Sequence, residues 1–300
     1  MRITDKILNT NFITNLAFSS ERLFESETKV LTQKRVNKPS DDPVDALNSL
    51  ALRTRIDEIE QYKRNISRTK TMLQNTESIV TAIAEIFQRT NSLTVQGASD
   101  SFTDVDKISV SYEINQLLEQ TFKEANNSIS SSYIFAGTNI DTLPYSAQRN
   151  IDGEIISITT SGTGGNLNRA IGENISIKAN INGEDLFESG ENLFDILIKI
   201  RNDLRANDSN ALNQDLGNLD NAMEKIFNTQ SVIGSRVNRV ELAEHRAESD
   251  IVNFSQFLSN AEDIDAAQAI IDYQTELVTL QASLQAGSRL IQPKLLDFLR

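Results

Sequence analysis

An apolar stripe from Leu212 to Ala261 constrains the fold more than any other feature of the chain. Large apolar residues and alanines recur along it at spacings of three and four, and only Gln230 and Glu244 interrupt them. Alternate members repeat every seven residues, which is typical of a helix that keeps one seam turned toward a partner helix. Such a helix would be about 75 Å long at the usual rise per residue. The stripe therefore predicts a second helix of similar length.

A second stripe supplies the expected partner helix. Apolar residues stand seven positions apart from Leu52 to Phe87, and a second apolar row runs beside them. One helix is therefore predicted from Val44 to about Gln96, ended by the small and polar run that begins at Gly97. Because the two stripes match in length, antiparallel pairing of their helices is the economical arrangement.

Shorter elements complete the pattern. Further helices are predicted over Ile13 to Leu31, Asp104 to about Tyr133, Asn192 to Leu204, and from Asp263 or Asp265, as cap, to Ile291. Strands are predicted over Glu154 to Thr159 after an Asp152-Gly153 turn, and over Ile175 to Ile181 before Asn182-Gly183. The run Gly162 to Gly165 lacks the lysine of a phosphate-binding loop and indicates a mobile hairpin loop. The predicted fold is mainly α, a long antiparallel helical bundle or coiled coil from both chain halves with a small central β insertion.

A short polar stretch joins the first two predicted helices. It contains Pro39, Ser40, Asp41, Asp42 and Pro43. The residue before a proline is pushed out of the helical region, so the first helix ends before Pro39. Asp42 is predicted to cap the next helix, with Pro43 at its first position. A metal-binding or acid–base role for the aspartates is the alternative; no histidine stands nearby, and capping is favoured.

Both ends of the chain carry apolar seams that a two-helix pair cannot bury. The first seam lies among Asn, Ser and Thr, which are mediocre helix formers, so neighbours must hold this segment. The last helix is flanked by uncharged Gln, Thr and Ser, which suits packing by copies of the same chain. We predict an assembly interface at Ile3, Ile7, Ile13, Leu16, Ala17, Leu23, Phe24, Ile270, Leu277, Leu280, Leu284, Ile291, Leu295, Leu296, Phe298 and Leu299.

The net charge of −13 is unevenly distributed. Residues 1–40 are basic on balance and residues 266–300 are neutral, so the acidity belongs to the middle of the chain. An acidic body argues against nucleic acid as a partner. No apolar run approaches the length that spans a bilayer, and the N-terminus lacks the continuous apolar core of a signal peptide. We expect a protein without membrane insertion that is cytosolic or is exported without signal cleavage.

The residues of familiar active sites are missing. His245 is the only histidine and stands among charged residues on the predicted outer side of a long helix. The chain has no cysteine, no zinc pattern and no dinucleotide fingerprint. We therefore expect no enzyme activity, no cofactor and no metal.

Five segments carry a resemblance to a known family. They are Met1-Arg2-Ile3, Lys34 to Pro43, Tyr133 to Thr138, Ile233 to Glu241 and Leu295 to Leu299. Each is weakly specific alone, but in this order and spacing the chain resembles the bacterial flagellin family. Pro43 and the Tyr133 to Gly137 segment favour the branch at the junction of hook and filament. Gln292-Pro293 is more like the filament proteins.

The resemblance implies a structural subunit of the bacterial flagellum, exported through the flagellar type III apparatus and forming a ring at the hook–filament junction. Implied partners are copies of itself, the first hook-associated protein, flagellin and a cytosolic export chaperone that binds the C-terminal segment. The expected domains are a terminal coiled-coil assembly domain of residues 1–38 with 264–300, a helical body of 39–138 with 190–263, and a β-rich insertion of 139–189. A flagellin filament subunit is the alternative, and a secreted coiled-coil effector or adhesin is a more distant one.

Overall fold

Six α-helices and three small strand pairs make up the part of the chain that the structure describes. The computed structural model describes residues 2–99, 102–129 and 131–291, without the side chains of 2–6, 8 and 289–291. The chain divides into two compact units, residues 1–58 with 249–300 and residues 59–248. The helices are α1 (Arg2–Thr32), α2 (Pro43–Ala98), α3 (Asp104–Ala125), α4 (Leu193–Ala206), α5 (Ser209–Glu262) and α6 (Ala266–Ile291).

The two longest helices, α2 and α5, run antiparallel, as the stripes predicted. Contacts between them advance along α2 as they retreat along α5. They pair Lys63 with Glu248 (3.0 Å), Lys70 with Glu244 (2.9 Å), Thr81 with Gln230 (3.1 Å) and Asn91 with Asp220 (3.3 Å).

The seven-residue series of both helices form a core inside the 59–248 unit. On α2 the series from Ile59 to Phe87 is buried, and on α5 the series from Leu212 to Ala247 is buried. Lys70 crosses the seam to reach both Glu241 and Glu244, so one of the two polar interruptions in the α5 stripe serves as an ion-pair partner. The mainly α fold class is confirmed.

Local capping fixes the shorter helices. Thr103 and Asp106 form a reciprocal capping box at the start of α3, and the side chain of Asn192 caps α4. Asn207 ends α4 in the left-handed region at φ 55°. Each cap satisfies backbone groups that a helix end leaves without partners.

The strands form three separate antiparallel pairs. They are β1 (Ser128–Ile129) with β2 (Ser132–Tyr133), β3 (Tyr145–Arg149) with β4 (Ile155–Thr160), and β5 (Asn168–Gly172) with β6 (Ile175–Lys178). An aromatic cluster of Phe135, Tyr145, Phe187 and Phe194 gives this region its own core, and the centroids of neighbouring rings lie 5.1–5.2 Å apart.

Two local predictions are wrong. Helix α3 ends at Ala125 rather than near Tyr133, because the side chain of Asn126 accepts from the backbone N–H of Tyr145 and donates to its carbonyl oxygen, both at 3.1 Å. Residues 161–167 are not a hairpin loop, since they connect β4 to β5, which do not pair. The loop is packed: Thr163 is buried and the carbonyl of Gly164 accepts from the N–H of Thr138.

The strand predicted over Ile175 to Ile181 ends earlier, at Lys178. Gly183 leads into a single π-helical turn, Glu184–Glu188, which the sequence did not indicate. A side chain at Gly183 would collide with the hydroxyl of Tyr145 at 2.3 Å. Close backbone packing against the aromatic cluster therefore requires glycine here.

Candidate functional site

Helices α1 and α6 pack against each other inside the unit formed by residues 1–58 and 249–300. Leu16 and Leu23 on α1 are half-buried, as are Leu277 and Leu280 on α6. We call α1 and α6 the terminal helix pair.

Small and charged residues set the distance between the two helices. Gly287 is buried, and a Cβ there would lie 1.9 Å from the ring of Phe12, so glycine lets the helices approach closely. Arg22 donates to Glu276 at 3.3 Å on the exposed edge of the pair.

Large apolar side chains remain exposed on the outer sides of the terminal helix pair. On α1, Ile13 is 65% exposed, Phe24 62% and Leu31 76%. On α6, Ile270 and Leu284 are about half exposed. One partner helix covers only one face of α1, so these residues form an uncovered apolar surface of the kind that marks protein contact sites.

Three further large apolar residues belong to this surface but are not among the predicted interface residues. Phe18 on α1 and Ile271 and Val278 on α6 are each more than half exposed. Each directly follows a predicted interface residue, so the repeat did not mark it as a separate position. Two more of the predicted interface residues, Ile7 and Ala17, are also exposed.

Six of the predicted interface residues cannot be placed. Leu295, Leu296, Phe298 and Leu299 lie outside the described residues, and the side chains of Ile3 and Ile291 do as well. The remaining ten lie on α1 and α6, so the structure brings together segments from opposite ends of the sequence.

The connections α1–α2 and α5–α6 lie side by side and form what we call the double turn, residues 33–42 with 262–265. Gln33 leaves α1 with φ 57°. Its carbonyl accepts from the N–H of Ile264 (3.1 Å), and the N–H of Arg35 donates to the carbonyl of Glu262 (2.6 Å). Lys34 and Asp263 form an antiparallel bridge. Backbone hydrogen bonds thus hold the α1–α2 connection beside the α5–α6 connection.

Arg35 is the central cation of the double turn. Its guanidinium donates to Asp42 (3.3 Å), to Asp45 and to the carbonyl of Ala261 (2.9 Å). The hydrogen bond to Asp45, followed by the one to Asp42, raises the pKa of Arg35. One side chain therefore ties the start of α2 to the end of α5.

Asp42 caps α2. Its Oδ1 accepts from the N–H groups of Val44 and Asp45, both at 3.1 Å, and Pro43 is the first residue of the helix. The backbone hydrogen bond from Asp45, then the one from Arg35, lowers the pKa of Asp42. This carboxylate is engaged in capping rather than in chemistry.

Asp41 shapes the turn that precedes the cap. Its Oδ2 accepts from the N–H groups of Asn37 and Lys38, both at 2.9 Å, and its own N–H donates to the carbonyl of Lys38. The hydrogen bond from Lys38 is the main cause of its lowered pKa. Pro39 and Ser40 stand exposed at the tip of this turn.

Glu262 is a buried carboxylate held by two cations. It is 5% exposed, lies 2.8 Å from the Nζ of Lys34 and accepts from Arg53. The hydrogen bond from Arg53 is the largest cause of its lowered pKa. A buried carboxylate needs such partners, and Glu262 therefore fixes the end of α5 to α2. Periodicity did not single out this residue.

A second set of polar contacts attaches the β3–β4 hairpin to the helices. Arg205 forms two hydrogen bonds to Glu154 (2.8 and 2.6 Å) and lies 5.6 Å from the ring centre of Tyr112. The hydrogen bond to Arg205 lowers the pKa of Glu154 to about 2. Arg149 donates to Glu119 through both terminal guanidinium nitrogens (2.5 and 2.9 Å). The partners are distant in sequence, so no local pattern predicted these contacts.

The described residues were predicted to hold neither a metal site nor a membrane span. Among the residues that the structure describes, no group of three metal-ligating side chains is present. His245 is exposed and lies 3.9 Å from Glu248, a surface pair rather than a catalytic one. Within the same described ranges, no helix is long and apolar enough to cross a membrane.

Both halves of the chain are similar in sequence to known proteins. A family profile described as the bacterial flagellin N-terminal helical region matches residues 3–140, and one described as the bacterial flagellin C-terminal helical region matches residues 216–299. The chain is 24% identical over 305 residues to a protein of Escherichia coli K12 named flagellar hook-associated protein 3, covering 95% of this chain and 96% of that one.

The chain is also similar to a flagellar filament protein and to a protein of known structure. The chain is 22% identical over 269 residues to the flagellar filament 30.7 kDa core protein of Treponema maltophilum, with 90% of this chain and 88% of that one covered. Among solved structures, the flagellar junction protein FlgL of Legionella pneumophila matches with a TM-score of 0.60 at 17% identity, covering 72% of this chain and 100% of that one.

Proposed function

Because the chain belongs to the bacterial flagellin family, we propose that it is a structural subunit of the bacterial flagellum that forms the junction ring between hook and flagellin filament. The observation that carries the proposal is the terminal helix pair, whose outer apolar side chains stay exposed in the single chain. The likeness to a protein named flagellar hook-associated protein 3 over nearly the whole of both chains supports the same position.

The proposed domain boundaries lie at the double turn. Residues 1–38 with 264–300 are the coiled-coil assembly domain, residues 39–138 with 190–263 are the helical body, and residues 139–189 are a β-rich insertion. The backbone pairing of Arg35 with Glu262, and of Gln33 with Ile264, supports a boundary at this level because it clamps the two connections together.

The proposed partners are other copies of the chain, the first hook-associated protein on one side and flagellin on the other. Before assembly, a cytosolic export chaperone would cover the C-terminal segment. The subunit would leave the cell through the flagellar type III apparatus without signal cleavage and would act outside it. Exposed apolar residues on α6, such as Val278, support the need for a chaperone, since such a surface favours aggregation.

A filament subunit is the second candidate. The likeness to a protein named flagellar filament 30.7 kDa core protein is the observation on its side, while two relatives named flagellar hook-associated protein 3 favour the junction proposal. A strain that lacks the gene separates the two candidates. The junction proposal predicts hooks without filaments and flagellin shed into the medium. A filament protein predicts hooks that stay bare with none of its own product outside the cell, and normal filaments would contradict both candidates.

Point variants test the surface itself. Ile13→Ser and Phe24→Ser change side chains that are exposed in the single chain, so each variant should keep the wild-type unfolding midpoint yet fail to restore filaments in the deletion strain. Ile151→Ser is the matched control, because Ile151 is fully exposed on the β3–β4 turn; this variant should restore filaments. Normal motility with both α1 variants would refute the proposed role of the terminal helix pair.

A further inference from the structure

A groove lies on one side of the terminal helix pair. The two helices are antiparallel, since Arg22 bonds to Glu276 and the earlier residue Phe12 meets the later residue Gly287. The groove has a volume of about 480 Å³, whereas about 10–15 Å³ is enough to hold a water molecule. It therefore has room for side chains of another helix. Its lining includes Asn15, Phe18, Ser19 and Arg22 of α1 and Thr279 and Ser283 of α6.

The α1 wall of the groove has the pattern of a hole in a coiled coil. Four of its residues stand at positions i, i+3, i+4 and i+7 of the helix: Asn15, Phe18, Ser19 and Arg22. Four residues in this arrangement surround one side chain of a facing helix. Ser19 is small and buried, whereas Phe18 is 58% exposed and supplies an apolar wall. The hole therefore suits one apolar side chain.

The outer side of α6 carries a row of residues that suits burial against another protein surface. Five exposed residues follow one another at spacings of three and four, and so share this side: Ile271, Gln274, Val278, Gln281 and Gln285. None of the five carries a charge, although a solvated helix side normally does. Ile271 and Val278 are 56% and 61% exposed. We call these five residues the outer row.

The rim of the groove is chemically complementary to the outer row. Glu21 and Glu25 line the groove and are exposed. Their carboxylates only accept hydrogen bonds, and the side-chain amides of Gln274 and Gln281 are able to donate to them. Val278 lies between the two glutamines, where an apolar side chain suits the hole.

The outer row and the groove lie on different sides of α6. Thr279 belongs to the groove, and Val278 lies about 100° away from it around the helix. The chain therefore cannot place Val278 in its own groove. A second copy rotated about an axis parallel to the helix pair brings its Val278 to the level of Thr279 in the first copy. A contact between two different surfaces of this kind closes into a ring when the rotation allows.

We propose that Val278 of one copy inserts into the groove of the next copy, so that the outer row and the groove join neighbouring copies around the ring. The proposal rests on the proposed function and deepens it by naming the two surfaces that meet. It assigns a role to Phe18 and Val278, two residues that the sequence analysis did not include in the interface.

Disulfide formation tests the contact directly, because the chain has no cysteine of its own. Val278→Cys and Asn15→Cys, both at exposed positions, are produced together in the strain that lacks the gene, and isolated flagella are oxidised. A disulfide needs Cα atoms about 4.4–6.8 Å apart, which only a neighbour seated in the groove provides. Ser283→Cys replaces Asn15→Cys in a parallel experiment, because it marks the α6 wall of the groove.

The control pair joins Asn15→Cys with Ile151→Cys, since Ile151 is fully exposed on the β3–β4 turn. We expect at least one Val278→Cys pair to give about tenfold more mixed dimer than the control, because contact raises the effective concentration of the thiols. Restored filaments with no excess over the control in either pair would overturn the proposal and leave the junction function standing. The groove would then take a different part of the chain or another flagellar protein.

A blocked groove gives an independent readout. Thr279→Phe, placed in the copy that carries Asn15→Cys, puts a large side chain into the groove from an exposed position. This copy should keep the wild-type unfolding midpoint, and the yield of mixed dimer should fall about tenfold as the effective concentration is lost. Ser20→Phe is the matched control, because Ser20 is exposed and lies about half a turn from Phe18. An unchanged yield with Thr279→Phe would overturn the proposal.

Failure of the proposed function gives a different result. If loss of the gene leaves hooks and filaments normal, the function proposed above is wrong. The same cysteine pairs are then oxidised in the purified full chain at high concentration. An excess of mixed dimer over the Ile151→Cys control would support the contact between copies, and its absence would overturn it.

Discussion

Replacing Gly137 with alanine should destabilise the chain far more than the same change at two other glycines. Gly137 has φ +57°, and a Cβ there would lie 1.9 Å from the carbonyl oxygen of Gly164. Gly153 has φ +84° but no atom within 4 Å of its Cβ position, and Gly217 lies in α5 with equally open surroundings. The three sites separate backbone strain from steric clash.

The magnitudes follow from these differences. Gly217→Ala should stabilise by about 1 kcal/mol, since alanine is the better helix former. Gly153→Ala should cost about 1–2 kcal/mol, the price of a left-handed alanine. At Gly137 the same strain is joined by overpacking of about 1–3 kcal/mol and by loss of the hydrogen bond from Thr138 to Gly164, worth about 1 kcal/mol. Gly137→Ala should therefore cost about 3–6 kcal/mol.

Urea unfolding of the full chain, followed by far-ultraviolet circular dichroism, measures all three changes against wild type. The difference between the Gly137 and Gly153 variants isolates the clash, because both carry the strain of positive φ. If Gly137→Ala costs no more than Gly153→Ala, Gly137 and Gly164 do not approach each other closely in solution, and residues 161–167 are not packed against Gly137 and Thr138.

Three further predictions concern packing and ion pairs. Leu219→Ala, in the buried series of α5, should cost about 2–5 kcal/mol, whereas Leu242→Ala on the same helix should change stability by less than about 0.5 kcal/mol, both measured by urea unfolding. Glu262→Gln should cost about 1–3 kcal/mol at neutral pH; its lowered pKa means that the contribution is present above the ordinary value of 4.5 and is lost as the pH falls through the folded pKa, so acid titration should show the variant approaching wild type. Arg205→Ala should lower the free energy of unfolding by about 1–2 kcal/mol near neutral pH, after allowance for the 31% exposure of Arg205. It should also return the pKa of Glu154 from about 2 toward its ordinary value of 4.5, as an acid titration of stability would show.

The long helices could be predicted because their burial repeats every seven residues. The series from Ile59 to Phe87 and from Leu212 to Ala247 are buried, and the bounds of α2 and α5 differ from the predicted ones by at most three residues. Helix α1, in contrast, begins at Arg2 rather than at Ile13. Ends of helices were predictable where a cap is encoded locally, as at Pro43. The end of α3 was not, because its cause is a contact between Asn126 and Tyr145, which are far apart along the chain.

The candidate site was predictable only in part. Adjacent apolar residues such as Leu23 and Phe24 repeat together, and periodicity alone cannot say which of them faces a neighbour. The structure separates them: Leu23 is half-buried and Phe24 is exposed. The ion pairs of Glu262 with Lys34 and Arg53 join positions that share no local pattern, so they appear only when the two turns are placed side by side.

Helix α1 has more apolar surface than α6 can cover, and this predicts where the single chain opens first. Ile13, Phe24 and Leu31 lie about a quarter turn away from the Leu16 and Leu23 face. Burial of such a side chain contributes about 1.5–3 kcal/mol, which α1 lacks until a neighbour covers it. Amide hydrogens of α1 in a dilute monomer should therefore exchange much faster than those of the α2 core and should become protected on assembly. Equal protection of α1 and the α2 core in the monomer would mean that the terminal helix pair needs no neighbour.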